Sequence, residues 1–183
     1  MGIMRYIVRA IQIIRIIAIK FKLRKCLKTT SPLYSYSINK NTEIKCGNNG
    51  RMILGDIGAE SNVHLVSWGG ILNIGARCSF NRNDIVVSRK RITIGEGTLI
   101  GPNVCIYDHD HAFDGKGIIK DKLVCSDVEI GKNVWIGAGT IILRGTTIGN
   151  NCIIGAGCIV KGKIPDCSLV TSENRNLVIK QLL

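Results

Sequence analysis

A six-residue repeat constrains the fold of this chain more than any other feature of its sequence. From Ile130 onward, each group of six begins with an aliphatic residue and carries a small or β-branched residue at position five, in the order IGKNVW, IGAGTI, ILRGTT, IGNNCI, IGAGCI and VKGKIP. The pattern also begins at Ile74, Ile94 and Ile100, and weaker copies begin at Ile38 and Ile44. This period fits neither a helix nor an alternating strand, and it is typical of a short strand followed by a tight bend.

Three such units build one triangular coil of about eighteen residues, with the aliphatic residue inside and the small residue near a corner. Successive coils then stack as parallel strands ~4.8 Å apart. The 21 glycines and 3 prolines in 183 residues suit a fold with many tight turns. The sequence therefore predicts an all-β parallel β-helix over residues 38–169, preceded by a basic segment over 1–37 and followed by a tail over 170–183.

The basic segment predicts an amphipathic helix. Residues 1–42 carry nine Lys/Arg and no Asp or Glu, so most of the net charge of +12 belongs there. Over residues 1–28 the polar side chains fall on one arc of a helix and the isoleucines on the other. This helix either lies on an anionic membrane surface or packs its apolar stripe on the body of the protein or on a neighbouring subunit. Charges interrupt every apolar run before ~18–20 residues, which argues against a spanning helix or a signal peptide.

Two further classes are disfavoured by composition. Only Tyr6 and Phe21 are aromatic within the basic stretch, which argues against nucleic-acid binding. The chain has eight cysteines, but Cys78, Cys152 and Cys158 occupy position five of the repeat, where Thr, Ala or Val would serve equally. No CxxC motif and no export signal are present, so we expect reduced, non-catalytic thiols and a cytoplasmic protein.

The repeat is broken by an inserted loop over residues 108–127. His109 and His111, two of the three histidines in the chain, open this loop among several aspartates. A histidine beside a carboxylate suits general base catalysis, because its pKa lies near neutrality and the carboxylate can orient the ring. The alternative is a solvated polar loop without function, but interruptions of a solenoid usually carry its active residues.

The repeats resemble those of the left-handed β-helix acyltransferases, and residues 74–164 are most similar to the sugar O-acetyltransferases such as the galactoside, maltose and capsular-polysaccharide enzymes. The resemblance implies a left-handed coil, a homotrimer, and acetyl-CoA bound in a groove between two subunits. His109, after the hexapeptide IGPNVC, falls at the position of the catalytic base, with His111 as the reserve candidate. The orienting partner is Asp108, Asp110 or a backbone carbonyl.

The resemblance also implies direct acyl transfer, with no metal and no covalent enzyme intermediate. His109 would remove the proton of an acceptor hydroxyl, and the alkoxide would attack the thioester of acetyl-CoA. Small residues would line the pantetheine arm, Trp135 would wall the acyl end, cations would meet the nucleotide phosphates, and amides would contact the sugar. The small residues are Gly137, Ala138, Gly155 and Ala156, and the wall is Trp135. The cations are Lys161, Lys163 and Arg175, and the amides are those of Asn81 and Asn83.

One segment departs from the family. Residues 172–176 read SENRN, where the family usually carries a segment resembling GNPAK, so the proline of that cap is missing. We expect the tail over 170–183 to form a short helix over the end of the coil.

The predicted function is an acetyl-CoA-dependent O-acetyltransferase acting on a sugar hydroxyl, in surface polysaccharide biosynthesis. If the helix binds lipid, the protein contacts the inner face of the membrane. The alternatives are N-acylation of an amino sugar nucleotide, a non-enzymatic scaffold, and a metal enzyme similar to the γ-class carbonic anhydrases. In the last case His64, His109 and His111 would offer three imidazoles to zinc, although their spacing does not resemble that family's.

Overall fold

The aliphatic residues of the repeat form the interior of a three-sided coil. The structure, a computed structural model, describes residues 2–173 and 176–181, and the side chains of residues 4–172. Position one of the repeat is inward-facing, since Ile136, Ile142, Ile154 and Val160 are all completely buried. The left-handed β-helix is confirmed, with one N-terminal helix, α1 (Gly2–Lys22), and a short 3₁₀ turn (Leu33–Ser35) before the second strand.

Three sheets form the faces of the coil, and their strands pair in parallel except at the C-terminus. The first sheet contains β1 (Leu27–Thr29), β4 (Arg51–Leu54), β7 (Ile71–Ile74), β10 (Arg91–Ile94), β15 (Val128–Ile130), β18 (Thr147–Ile148) and β21 (Lys163–Ile164). The second contains β2 (Ser37–Ile38), β5 (Ile57–Ala59), β8 (Cys78–Phe80), β11 (Leu99–Ile100), β16 (Trp135–Ile136), β19 (Ile153–Ile154), β22 (Ser168–Glu173) and β23 (Asn176–Gln181). The third contains β3 (Glu43–Gly47), β6 (His64–Trp68), β9 (Ile85–Ser88), β12 (Cys105–Tyr107), β17 (Ile141–Ile142) and β20 (Ile159–Val160).

Two corners of the coil position the candidate site residues. The chain passes from the third sheet to the first at the hairpin corner, and from the second to the third at the asparagine corner. Asn62, Asn83 and Asn103 adopt positive φ at the second of these, a conformation that asparagine tolerates. The hairpin corner comprises residues 48–50, 69–70, 89–90, 108–127, 143–146 and 161–162, and the asparagine corner comprises 39–42, 60–63, 81–84, 101–104, 137–140 and 155–158.

The coils change size along the axis. Leu65 pairs with Val86, twenty-one residues later, whereas Ile142 pairs with Val160, eighteen residues later. The wide coils therefore precede the hairpin and the narrow coils follow it. In the coils from Ile74 to Ile106 the additional residues lie around the hairpin corner, since the buried residues there keep the spacing of six across the other two corners.

The interruption folds as an antiparallel ribbon. Its strands are β13 (His109–Phe113) and β14 (Ile118–Cys125), joined by a turn in which Asp114 accepts hydrogen bonds from two backbone N–H groups. The ribbon leaves the coil after β12 and returns at β15, so it interrupts the solenoid without displacing the next coil.

The position-five cysteines behave as predicted. Cys78, Cys152 and Cys158 are buried in the core, and all eight cysteines of the chain are free thiols. Burial raises the pKa of Cys78 to about 11, which keeps this thiol protonated and unreactive near neutral pH.

The predicted tail helix is wrong. The chain instead continues the second sheet through β22, which pairs with β19, and adds β23 as an antiparallel neighbour. Leu169 and Val170 lie in register with Ile153 and Ile154, so the coil offers a strand edge that the tail completes. The tail forms a strand and not a helix, because a strand pairs the backbone groups that an open edge would leave unpaired.

The N-terminal helix is confirmed, but the side that it turns towards the coil differs from the packing expected for an apolar stripe. Its polar arc, not its apolar stripe, faces the coil. Arg9 donates hydrogen bonds to the carbonyls of Tyr34 and Tyr36, Gln12 Nε2 lies 2.9 Å from Ser37 Oγ, and Arg15 donates to the carbonyl of Ile38. In the single chain, α1 therefore packs on the coil through its polar arc together with Ile16 and Ile19, and most of its apolar stripe faces away.

Few apolar residues of α1 contact the coil. Ile16 is buried beneath the polar arc, while Ile7, Ile14 and Phe21 on the opposite side are 50%, 64% and 73% exposed. We call this outward side, formed by Ile7, Ile11, Ile14, Ile17 and Phe21, the apolar helix face. The solenoid begins just after the helix, at β1, ahead of the boundary expected at residue 38. Among the described residues, no helix is long and apolar enough to cross a membrane.

Candidate active site

His109 is held by a buried carboxylate at the hairpin corner. Asp108 follows β12 and is completely buried, and its Oδ1 lies 3.0 Å from His109 Nδ1. The His109 side chain is 17% exposed. A carboxylate at Nδ1 favours the tautomer with the proton on that nitrogen, which leaves Nε2 as a hydrogen-bond acceptor. This geometry is that of a histidine oriented to accept a proton from a substrate hydroxyl.

The preceding coil anchors Asp108. Its carboxylate accepts hydrogen bonds from the backbone N–H groups of Arg89, at 2.8 and 3.0 Å, and Lys90, at 2.8 Å. Ser88 Oγ donates a further bond of 2.9 Å to Oδ2. Several donors on one buried carboxylate stabilise its charged form and fix its position. Asp108 therefore joins the turn of one coil to the histidine of the next.

Other residues around His109 complete its surroundings. The Tyr107 ring packs edge-on against the His109 ring, with centroids 5.9 Å apart. Asp110, the other candidate partner for His109, instead pairs with Arg144 of the following coil. Sequence reasoning missed Ser88, Arg89, Tyr107 and Arg144, because their proximity depends on coil register; the one available signal was that each lies at the same corner of the repeat.

The second histidine candidate lies elsewhere. His111 is exposed on the ribbon and makes no hydrogen bond or ion pair with any described residue. His64 begins β6, at the asparagine-corner end of the third sheet, and its Nδ1 lies 3.1 Å from Glu43 Oε2. His109 lies at the other end of that sheet, so the three imidazoles do not meet. Within residues 2–173 and 176–181, no group of three or more His, Cys, Asp or Glu is placed to hold a metal ion.

The small residues expected along pantetheine lie at the asparagine corner. Gly137 stacks directly on the next coil, where a Cβ at this position would come 2.5 Å from Ala156 N. Ala138 and Gly155 belong to the same stack. Close contact between coils therefore requires glycine at position 137, whatever else binds there.

The remaining candidates are spread around the coil. Trp135 lies on the outer side of the second sheet and is 55% exposed, beside Leu99 and Ile153. Lys161 is exposed at the hairpin corner, and Lys163 is exposed at the start of β21. Arg175 lies outside the described residues.

The two amides expected to contact sugar take part in local structure. Asn83 belongs to a ladder in which Asn62 Nδ2 donates to its Oδ1 at 3.1 Å and its Nδ2 donates to Asn103 Oδ1 at 3.0 Å. Asn81 Oδ1 accepts a bond from the backbone N–H of Arg82. Both asparagines lie at the asparagine corner, roughly 20 Å from His109 along the strands of the third sheet. One chain therefore does not bring them together with the histidine.

Comparison with known proteins agrees with the geometry of the coil. A family model described as bacterial transferase hexapeptide (six repeats) matches residues 127–162, which are the narrow coils after the ribbon. This part of the chain is therefore similar to the hexapeptide-repeat transferases.

Three known proteins are similar to this chain in sequence or in fold. Nodulation protein L of Rhizobium meliloti (strain 1021) is 40% identical over 70 residues, which is 38% of each chain, so the match spans well under half the length of that relative. A maltose O-acetyltransferase from Clostridium difficile 630 is 28% identical, with a TM-score of 0.55 over 88% of this chain and 72% of its own. AntD, an N-acyltransferase from Bacillus cereus solved with an amino sugar nucleotide and Coenzyme A, shares the fold at 19% identity, with a TM-score of 0.64 over 80% and 84% of the two chains.

Proposed function

We propose that the protein is an acetyl-CoA-dependent O-acetyltransferase that acts on a sugar hydroxyl, with His109 as general base. The observation that carries the proposal is the Asp108–His109 pair, held at the point where the ribbon interrupts the repeat. The maltose O-acetyltransferase, similar over most of both chains, supports the substrate class. A role in surface polysaccharide biosynthesis is the biological setting that we infer for this activity.

The chemistry assigned to the pair is a direct transfer. His109 Nε2 takes the proton from the acceptor hydroxyl while that oxygen attacks the thioester carbonyl of acetyl-CoA. Asp108 stabilises the imidazolium that forms, and the same nitrogen returns the proton to the departing thiolate. Acetyl-CoA supplies the activated acyl group, and holding donor and acceptor together supplies much of the rate.

We infer a homotrimer, because the candidate residues occupy two corners of one chain. A neighbouring copy whose asparagine corner faced the hairpin corner would bring Gly137, Ala156 and Asn83 towards His109. The third sheet supports such contact, since Ile85, Cys105, Ile141 and Ile159 form an outward apolar column across its strands. Ile159 is 57% exposed in the single chain.

We also infer that α1 holds the protein on an anionic membrane surface. The apolar helix face points away from the coil, and Lys20, Lys22 and Arg5 are exposed beside it. Apolar side chains flanked by cations suit the boundary between acyl chains and anionic headgroups. The acceptor would then be a saccharide carried near the membrane.

The test begins with acetyl-CoA binding, which is measured by isothermal titration calorimetry with free CoA for comparison. Saturable binding near one site per chain is expected. Acetyl transfer is then measured on neutral sugars, acidic sugars and amino sugar nucleotides. His109→Ala should lower kcat by about 10²–10⁴ without weakening acetyl-CoA binding.

His111→Ala is the matched control and should retain activity, because this side chain is exposed and makes no contact with the pair. Absence of acetyl-CoA binding by folded protein would overturn the proposal. Transfer to amino groups alone would instead assign N-acylation, and equal loss in the two variants would remove the assignment of the base to His109.

A further inference from the structure

A tryptophan and an arginine lie in the coils that precede His109, at the same corner. Ser67 of β6 pairs with Ser88 of β9, so Trp68 and Arg89 follow at equivalent positions of neighbouring coils. The backbone N–H of Arg89 lies 2.8 Å from Asp108 Oδ1, the same oxygen that contacts the His109 ring. Arg89 is therefore one coil from His109 and Trp68 is two coils away, which is about 5 and 10 Å along the axis.

The Trp68 ring packs closely against Gly47 of the coil beneath it. A Cβ on Gly47 would come 2.3 Å from Cζ3 of the ring, so glycine is required for this placement. Two cations approach the ring, with Lys45 Nζ 6.0 Å and Arg89 Cζ 5.9 Å from its centroid. The ring is partly exposed, and it presents an aromatic surface bordered by positive charge.

The Arg89 guanidinium has no carboxylate within ion-pair distance among residues 4–172. Its Nε is buried and makes no hydrogen bond with the described residues. The nearby carboxylates have other partners: Asp110 pairs with Arg144, Asp127 pairs with Lys90, and Asp108 is saturated by its own donors. Because Nε is closed off from solvent, a bound anion would meet the two terminal nitrogens of the guanidinium.

We propose that Trp68 and Arg89 form an acceptor subsite for an anionic sugar, which rests on the transferase function proposed above. The ring packs against the apolar face of the sugar, and the planar guanidinium binds a carboxylate or phosphate through two parallel hydrogen bonds. Lys45 adds a second positive charge at the far side of the ring. The span of one to two coils places a hydroxyl of the same sugar at His109.

The test uses tryptophan fluorescence, because the chain has only 2 tryptophans. In the Trp135→Phe variant, emission reports Trp68 alone. Glucose and galactose, their uronic acids and their 1-phosphates are titrated into this variant. The anionic sugars are expected to change the emission saturably, with a Kd about tenfold or more below that of the neutral sugars, as a charged hydrogen bond predicts. The uronic acid and phosphate arms distinguish the two sources of negative charge.

Arg89→Gln in the same background should remove the preference for anionic sugars, since it removes the charge and keeps the backbone N–H that Asp108 needs. Arg91→Gln makes the same change at an exposed position of the first sheet and should leave the preference intact. Equal binding of neutral and anionic sugars, no response to any anionic sugar, or a preference that survives Arg89→Gln would each overturn the subsite.

Acetyl-CoA calorimetry on Arg89→Gln, in protein that keeps Trp135, separates this proposal from the function on which it rests. Unchanged acetyl-CoA affinity together with a lost sugar preference supports both. Tight acetyl-CoA binding without a preference for anionic sugars would support the transferase function and overturn the subsite. Anionic sugar binding by a protein that does not bind acetyl-CoA removes the transferase and leaves a saccharide-binding site. Weakened acetyl-CoA binding would show that Arg89 meets the phosphates of the donor instead, and would overturn the assignment.

Discussion

At the scale of single residues, Asp108 connects the proposed general base to the packing of the coil. One buried carboxylate holds the turn Ser88–Lys90 of a wide coil and the ring of His109. The interruption of the repeat predicted His109, because a break in a regular pattern is visible along the chain. It did not choose among the orienting partners, since that choice depends on which groups the preceding coil brings to the corner.

Asp108→Ala should destabilise the protein and reduce transfer. The substitution leaves the backbone N–H groups of Arg89 and Lys90 without their acceptor, at a cost of about 1–3 kcal/mol for each buried group, whereas the Ser88 hydroxyl can donate to the carbonyl of Ile71 instead. The measurement is the free energy of unfolding in urea, with acetyl transfer assayed where the variant is folded. Ser88→Ala removes one of these donors and leaves Asp108 its others, so it should lose at most about 1.5 kcal/mol. Equal stability of the wild type and Asp108→Ala would contradict this account.

A second buried carboxyl should make stability depend on pH. Asp84 is completely buried at the asparagine corner, where neighbouring coils place Val63, Val104 and Thr140. Burial raises the pKa of Asp84 to about 7, although the backbone N–H groups of Val104 and Asn81 act in the opposite direction. A carboxyl with a raised pKa in the folded state binds its proton more tightly there than in the unfolded chain.

The stability that protonated Asp84 contributes is therefore complete below about pH 4 and is lost as the pH rises towards about 7. The free energy of unfolding of the wild type minus that of Asp84→Asn should fall over this window and be level above it. Urea denaturation at several pH values measures the difference, in which the other titrating groups cancel. A difference that rises with pH would show that the backbone donors outweigh burial.

At the scale of elements, α1 shows what periodicity predicts and what it omits. The spacing of charges predicted the helix and its two arcs, but not which arc faces the coil. The coil offers backbone carbonyls at Tyr34, Tyr36 and Ile38, and these select the arc that carries arginine and glutamine donors. The prediction of a tail helix was wrong for a related reason. The tail forms a strand because β19 offers it an edge to pair with, and the sequence of the tail alone does not show that edge.

Ile14→Glu should weaken binding to anionic membranes. Ile14 is 64% exposed on the apolar helix face, and loss of one buried aliphatic side chain from a lipid interface costs about 1.5–3 kcal/mol, or tenfold and more in affinity. Sedimentation with phosphatidylglycerol vesicles measures the binding, with phosphatidylcholine vesicles for comparison. Ile118→Glu makes the same change at a residue of the ribbon that is 62% exposed, and should bind as the wild type does. If Ile14→Glu bound phosphatidylglycerol vesicles as well as the wild type, the membrane role of the apolar helix face would be overturned.

At the scale of the whole molecule, the solenoid was predictable because each coil contacts mainly its neighbours, so six residues at a time contain the information for the fold. The site was less predictable, because its candidate residues divide between two corners. A single chain separates them by the width of a sheet, and the trimer that we propose would bring them together.

Glutamate on the third sheet should therefore dissociate the trimer that we propose. Ile141→Glu with Ile159→Glu introduces charge into the outward apolar column, and light scattering should report monomers with unchanged far-ultraviolet circular dichroism. These monomers should also lose acetyl-CoA binding, because the proposed groove lies between two copies. Thr147→Glu, on the more polar outer side of the first sheet, is the control and should remain assembled. A double variant that stays trimeric would place the contact on another face.

The change in coil size has a consequence for how such proteins diversify. The narrow coils, which match the family model, follow the ribbon, while Trp68 and Arg89 lie at the enlarged corners of the coils before it. A residue added at a corner lengthens one turn and leaves the strand register of the faces intact. Mutation can thus remodel, by insertion, the coils that hold the proposed acceptor subsite, while the narrow coils keep their strict repeat. Swapping one wide coil for that of a relative is the corresponding engineering step, and it would alter sugar preference without rebuilding the rest of the solenoid.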